Sequence, residues 1–309
     1  MHAPVTPPKL SAPIDLDHVR ALFSRPARLS QADFLRREIA SRMVERLELI
    51  NIAPLRVLDA GCGDGADLAM LQKSYAAAQV LGVDAAEAQL RAARGQVGRP
   101  SSLNQLLSKL LPSKTGIDLL CADFADLPLA PNSVDLIWSN LALHWHPQPD
   151  RVFAEWRRVL RVDSLLMFSC FGPDSLRELR AAFAEADLAP HALPFVDMHD
   201  FGDQLVEAGF STPVLDMETL TVTYDTVQAM LADVRGLGGN PLATRSNGLM
   251  GRQAWQRMLA AFEQQRQRRS DGKLALTFEV IYGHAFRPAP KVTANGEAII
   301  RFTPRKPRE

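Results

Sequence analysis

The run Val57-Leu58-Asp59-Ala60-Gly61-Cys62-Gly63-Asp64-Gly65 constrains this chain more than any other stretch. Val57 to Ala60 is short, apolar and β-prone, so it predicts a buried strand. Three alternating glycines then let the backbone turn tightly and approach a ligand with no Cβ in the way. From Ala66 a helical spacing begins, with apolar residues at Leu68, Ala69, Leu71 and Tyr75. Strand, glycine turn and helix in that order open a nucleotide-binding α/β unit. Gly61, Gly63 and Ala66 also satisfy the dinucleotide fingerprint G-x-G-x-x-G/A, so a Rossmann dehydrogenase is a second reading at this point.

Side chains at the predicted strand ends carry the next inference. Asp59 stands inside the first strand, where a carboxylate accepts hydrogen bonds from a ligand ammonium or holds the turn itself. The next strand, Gln79 to Val83, ends in Asp84, placed to take both hydroxyls of a ribose. A third, Ile117 to Cys121, is followed by Asp123 and Phe124, an acid for an exocyclic amine beside a ring that stacks on a base. A short-chain dehydrogenase usually carries Tyr-x-x-x-Lys. Tyr75, Tyr224 and Tyr282 are the only tyrosines, and none has a lysine four residues on.

Composition narrows the partners. The 35 basic and 35 acidic residues cancel, which predicts no nucleic-acid partner driven by bulk charge. No apolar run is long enough to span a bilayer, so no membrane partner is expected. Met1 to Pro13 contains prolines and no apolar core, unlike a secretory signal. Cys62, Cys121 and Cys170 make no metal spacing and read as reduced residues in or beside buried strands of a cytoplasmic protein. No metal is expected.

Four motifs occur in order: Asp59 to Gly65, Gly82-Val83-Asp84, Cys121-Ala122-Asp123-Phe124 and Val134-Asp135-Leu136-Ile137-Trp138-Ser139-Asn140. Together they resemble the successive motifs of class I S-adenosylmethionine (SAM) methyltransferases. The resemblance implies SAM as cofactor, held by Asp59, Gly61, Gly63, Asp84, Asp123, Phe124 and Asn140. It also implies a substrate side beyond the fourth strand, with His144 as a base or polar handle and Trp145 as a wall. N-terminal helices often pack over the cofactor mouth in this fold.

A closer resemblance covers nearly the whole chain. Ser139 to Trp145, Phe171-Gly172-Pro173-Asp174-Ser175-Leu176-Arg177-Glu178-Leu179, Asp197 to Gly202 and Glu207-Ala208-Gly209-Phe210 are similar to the malonyl-acyl-carrier-protein O-methyltransferases of biotin synthesis. That family methylates the free carboxylate of a malonyl thioester. The neutral ester then enters fatty-acid elongation, because burying an ester costs far less than burying a carboxylate. A carboxylate is already ionised at neutral pH, so no general base is required. Phe171 and Arg245 join His144 and Trp145 as substrate candidates. The implied partner is an acidic acyl carrier protein carrying malonate. Three basic clusters are candidates for docking it: Arg157, Arg158 and Arg161; Arg177 and Arg180; Arg266, Arg268 and Arg269.

The chain departs from that family at two places. Phe23-Ser24-Arg25-Pro26-Ala27 lacks the tyrosine that often follows, and Val162-Asp163-Ser164 replaces a common Pro-Gly-Gly. The stretch Asp233 to Asn240, with Arg245, also resembles a sister family of mitochondrial complex I assembly factors, which implies an alternative as a SAM-binding protein-modifying or assembly factor.

The expected architecture is a Rossmann-like, mostly parallel seven-stranded sheet with helices on both faces. Strands are predicted at 56–60, 79–84, 117–121, 134–139, 164–171, 214–224 and 274–286. One or two helices fall between Asp15 and Ile50, and others at 174–186 and 198–208. A short amphipathic helix is expected between Gly98 and Gly116. Residues 14–224 with 274–286 form the methyltransferase core. The stretch 225–273 is too long and too periodic for a hairpin turn and reads as a helical cap near the active site. Residues 1–13 read as disordered and 287–309 as a loose tail.

Overall fold

The computed structural model describes residues 11–25, 33–97, 116–187, 189–246 and 248–290. Among these residues seven strands share one sheet: β1 (Arg56–Ala60), β2 (Gln79–Asp84), β3 (Ile117–Cys121), β4 (Val134–Asn140), β5 (Leu160–Phe171), β6 (Ser211–Tyr224) and β7 (Leu274–Phe286). Their order is β3-β2-β1-β4-β5-β7-β6. The first five run parallel, and β7 inserts antiparallel between β5 and β6. The helices are α1 (Leu16–Phe23), α2 (Asp33–Glu48), α3 (Leu68–Ser74), α4 (Glu87–Val97), α5 (Pro149–Val159), α6 (Arg177–Ala184), α7 (Met198–Glu207), α8 (Val227–Gly236) and α9 (Arg252–Gln267). The expected helix between Gly98 and Gly116 falls outside the described residues.

Alternation along the strands builds a core on each face of the sheet. Leu136 and Trp138 of β4 join Met43 of α2 and Phe262 of α9 on one face. Ile137, between them in sequence, joins Phe153 and Trp156 of α5 and Phe201 of α7 on the other. β7 is buried almost throughout, whereas β6 alternates between half-buried and exposed residues, as an edge strand does.

Several boundaries differ from the sequence reading. β5 begins at Leu160, where it pairs with Val134 before a register shift. β6 begins at Ser211, and its ladder is irregular up to Val214 because Pro213 has no N–H to give. Cys121 is exposed, since β3 is the opposite edge strand. Ser11 to Pro13 are docked: Ser11 N donates to Pro147 O at 2.8 Å and Ala243 N to Pro13 O at 2.8 Å. Arg287 is tied down as well, its N–H donating to Ser164 O at 3.0 Å.

The long excursion 225–273 leaves and rejoins the sheet at one point, since Tyr224 pairs with Leu274. Its two helices do different things. The end of α8 reaches the cavity described below, whereas α9 packs against α6 and β7 in the outer layer.

Candidate active site

Parallel strands bring the carboxyl ends of β1, β2, β4 and β5 to one edge, and strand order reverses between β1 and β4. Open α/β sheets bind ligands at that switch point. A cavity lies there. Its floor is Gly61, Gly63 and Asp64 after β1, Asp84, Ala86 and Gln89 after β2, and Phe124 after β3. Asn140, Leu141, Ala142, His144 and Trp145 after β4, with Phe171 of β5, form the next wall. α1 covers it with Val19, Arg20 and Phe23, α2 with Asp33 and Arg36, and the end of α8 with Gly236 and Leu237.

Backbone bonds fix the glycine turn. The amides of Gly61 and Cys62 both donate to Val83 O, at 2.8 and 2.9 Å. Asp84 holds the rest: Oδ2 accepts from Gly63 N at 3.0 Å and Oδ1 from Ala86 N at 2.7 Å. Gly61 has φ +85°, and a Cβ added there would stand 2.3 Å from Ala142 Cβ. The turn therefore lies against the loop after β4, with only a glycine's width between them. Each Asp84 oxygen spends one lone pair on the backbone and keeps another for a ligand hydroxyl. Burial pushes the Asp84 carboxyl above its ordinary value, and the two amides pull it partly back.

One end of the cavity is charged. Arg36 pairs with Asp33 and with Asp64, the latter at 2.8 Å. Asn140 clips this group to the sheet. Its Nδ2 donates to Arg36 O at 3.1 Å and to Asp67 Oδ2 at 3.0 Å, and its Oδ1 accepts from Ser169 Oγ at 2.9 Å. The other end is aromatic. Phe23 of α1 meets Trp145 edge-on with ring centroids 5.2 Å apart. His144 lies 5.1 Å from Trp145 and 5.0 Å from Phe171. Both of its ring nitrogens are buried with no partner among the described residues, and burial pushes the imidazole down to about 3, so it is neutral at physiological pH.

A methyltransferase domain family matches residues 58–168, the segment from β1 to β5 that supplies the cavity floor. A malonyl-[acyl-carrier protein] O-methyltransferase of Laribacter hongkongensis is 49% identical over 298 residues, which covers 95% of this chain and 97% of that relative. One from Gallionella capsiferriformans is 46% identical, covering 93% and 96%. The chain belongs to the malonyl-[acyl-carrier protein] O-methyltransferase family. The crystal structure of the YcgJ protein from Bacillus subtilis shares the fold, with a TM-score of 0.53 at 15% identity, covering 82% of this chain and 100% of that one.

In this family member, Gly61, Gly63, Asp84, Phe124, Asn140, His144, Trp145 and Phe171 of the sequence-predicted residues wall the cavity. Three do not. Asp59 is 2% exposed and lies beneath the turn. It does not hold the turn either, since Asp84 takes the Gly63 amide. Burial, reinforced by the neighbouring Asp67 carboxyl, pushes Asp59 well above the usual carboxylate range. Asp123 accepts from Ala125 N at 2.9 Å and stands 3.7 Å from Arg20, beside the wall. Arg245 donates to Leu242 O at 2.8 Å in the loop before α9 and lies outside the wall. Sequence reading missed Arg36, Asp33 and Phe23. Asp33-x-x-Arg36 at the start of a helix is an ordinary i,i+3 pair by spacing. Only its meeting with Asp64, across the fold, singles it out.

Proposed function

We propose that this chain transfers a methyl group from SAM to the free carboxylate of a malonyl thioester on acyl carrier protein, an early step in making the pimeloyl part of biotin. The observation that supports it best is the division of one cavity into a floor of turn glycines, Asp84 and Phe124, a charged end and an aromatic end, in a chain whose relatives bear that activity in their names.

The residues fit SAM. Gly61 and Gly63 present turn backbone to the cavity. Asp84 offers free lone pairs to a ribose, and Phe124 offers a ring to the base. Arg36 suits the methionine carboxylate, and Asp64, which lines the cavity as Asp59 does not, suits the ammonium. When bound, SAM supplies a methyl group already activated by a sulfonium, so the acceptor carboxylate needs no base. What remains for the protein is alignment and exclusion of water. Phe23, Trp145, Phe171 and Leu237 provide the dry end, beneath an α1 that buries no residue of its own.

The basic clusters divide by sheet edge. Arg161 pairs with Asp135 at 2.7 Å, at the start of β4, so it and its neighbours Arg157 and Arg158 lie at the edge opposite the cavity. Arg177 follows the end of β5. Arg266 donates to Asp225 O at 2.9 Å, just past the end of β6, which runs the same way as β5. Gln265 joins α9 to α6 through Glu178 O at 3.0 Å. The second and third clusters thus share the cavity's edge, and they are the proposed face for an acidic carrier protein.

The test is transfer of a labelled methyl group. With methyl-labelled SAM, label is expected to enter malonyl carrier protein as a base-labile ester and to stay out of carrier protein lacking the malonyl group. Label in neither, from protein that binds SAM, would contradict the assignment of acceptor.

A further inference from the structure

Among the described residues the cavity wall contains two cations, and both are paired with carboxylates. Arg36 is paired with Asp33 and Asp64, and Arg20 with Asp17 at 3.1 Å and Asp123 at 3.7 Å. His144 is different. It is 7% exposed, neither ring nitrogen has a partner among the described residues, and its ring is enclosed by Trp145, Phe171 and Phe195. A buried donor without an acceptor lowers stability, and aromatic neighbours cannot relieve it. The ring also lines a second, smaller cavity behind the first, together with Ser11 and Phe201. His144 is therefore a partition at the aromatic end of the main cavity, beyond the groups assigned to SAM.

We propose that His144 grips the malonyl end of the acceptor, donating one imidazole N–H to a carboxylate oxygen and leaving the other oxygen free for methylation. This inference rests on the acceptor proposed above and goes further by assigning the group that orients it. A neutral donor suits that task better than an arginine. A guanidinium would bind both carboxylate oxygens in a fork, spreading their charge onto a cation and withholding both from reaction. One neutral N–H fixes direction and leaves the nucleophile charged. In the ligand-free protein the aromatic enclosure keeps the imidazole neutral, so its N–H meets the incoming carboxylate as a neutral donor.

The inference predicts opposite effects on stability and turnover. His144→Phe fills the same space with an apolar ring. It is expected to lower kcat/KM for malonyl carrier protein about 10- to 100-fold, as for loss of one hydrogen bond to a charged group. SAM affinity by calorimetry should stay unchanged. The ligand-free melting temperature should hold or rise by about 2–4 °C, because an unpartnered polar group is gone. His144→Gln keeps a neutral N–H donor and should retain more turnover than His144→Phe. If the Phe variant does not fold, His144→Leu removes the donor without adding bulk, and the same losses are expected. A donor-free variant that matches wild-type kcat/KM overturns the inference. So does one whose melting temperature and SAM affinity both fall, since that marks a structural role. Wild-type enzyme that leaves malonyl carrier protein unmethylated overturns the proposed function, and this inference with it.

Discussion

Gly61→Ala is expected to destabilise the fold by about 2–5 kcal/mol and to abolish measurable SAM binding. The figure combines about 1–2 kcal/mol for a Cβ in the left-handed region with about 1–3 kcal/mol for overpacking. Both apply at this residue, where φ is +85° and the new Cβ would meet Ala142 Cβ at 2.3 Å. Relief requires the turn and the loop after β4 to move apart, and those two segments carry Gly63, Asn140 and Ala142 of the cavity. Gly63 is the internal control. Its φ is +54°, and a Cβ there would come no nearer than 3.5 Å, to Arg36 Nη1. Gly63→Ala should therefore cost only the backbone part, about 1–2 kcal/mol. Denaturant titration on the two variants checks the contrast in stability, and calorimetry on Gly61→Ala checks the loss of SAM binding. Equal effects at the two positions would mean the turn is not held against the β4 loop as described.

Asp84→Asn should weaken SAM binding about 100-fold, because each of two ribose hydroxyls loses about 1–1.5 kcal/mol when its acceptor is neutral and not ionised. A pH dependence should vanish with it. Burial raises the Asp84 carboxyl in the free protein above the ordinary 3.8. Ribose hydroxyls donate to the ionised form, and a cationic ligand favours it, so binding lowers that value and releases a proton. SAM affinity should accordingly rise with pH between the bound-state and free-state values and level off above the latter. Asp59 and Asp67 are also raised by burial and stand nearby. The portion of the slope that Asp84→Asn removes is the portion Asp84 supplies. Calorimetry across mildly acidic to neutral pH decides it, and an unaltered slope in the variant would exclude Asp84 from the ligand.

Much of the fold was readable because its signals are local. The apolar runs of β1, β2 and β4 end in Ala60, Asp84 and Asn140 as their patterns imply, and parallel order then places those ends together. Residues whose role depends on distant partners were not readable. Asp59 sits one residue short of the turn, which is enough to place it among buried side chains instead of in the cavity. Phe23 gains its place through Trp145, Gly238 and the carbonyl that accepts from Gln89, contacts spanning most of the chain. Arg245 falls in a loop between helices, where nothing in the sequence fixes direction. Its guanidinium turns back to Leu242 O.

The most direct test is a crystal structure of the chain with S-adenosylhomocysteine. The ribose is expected on Asp84, the amino-acid end between Arg36 and Asp64, and the sulfur directed toward His144 and Phe171. A nucleoside bound away from the Gly61 turn, or a sulfur turned away from the aromatic end, would contradict it.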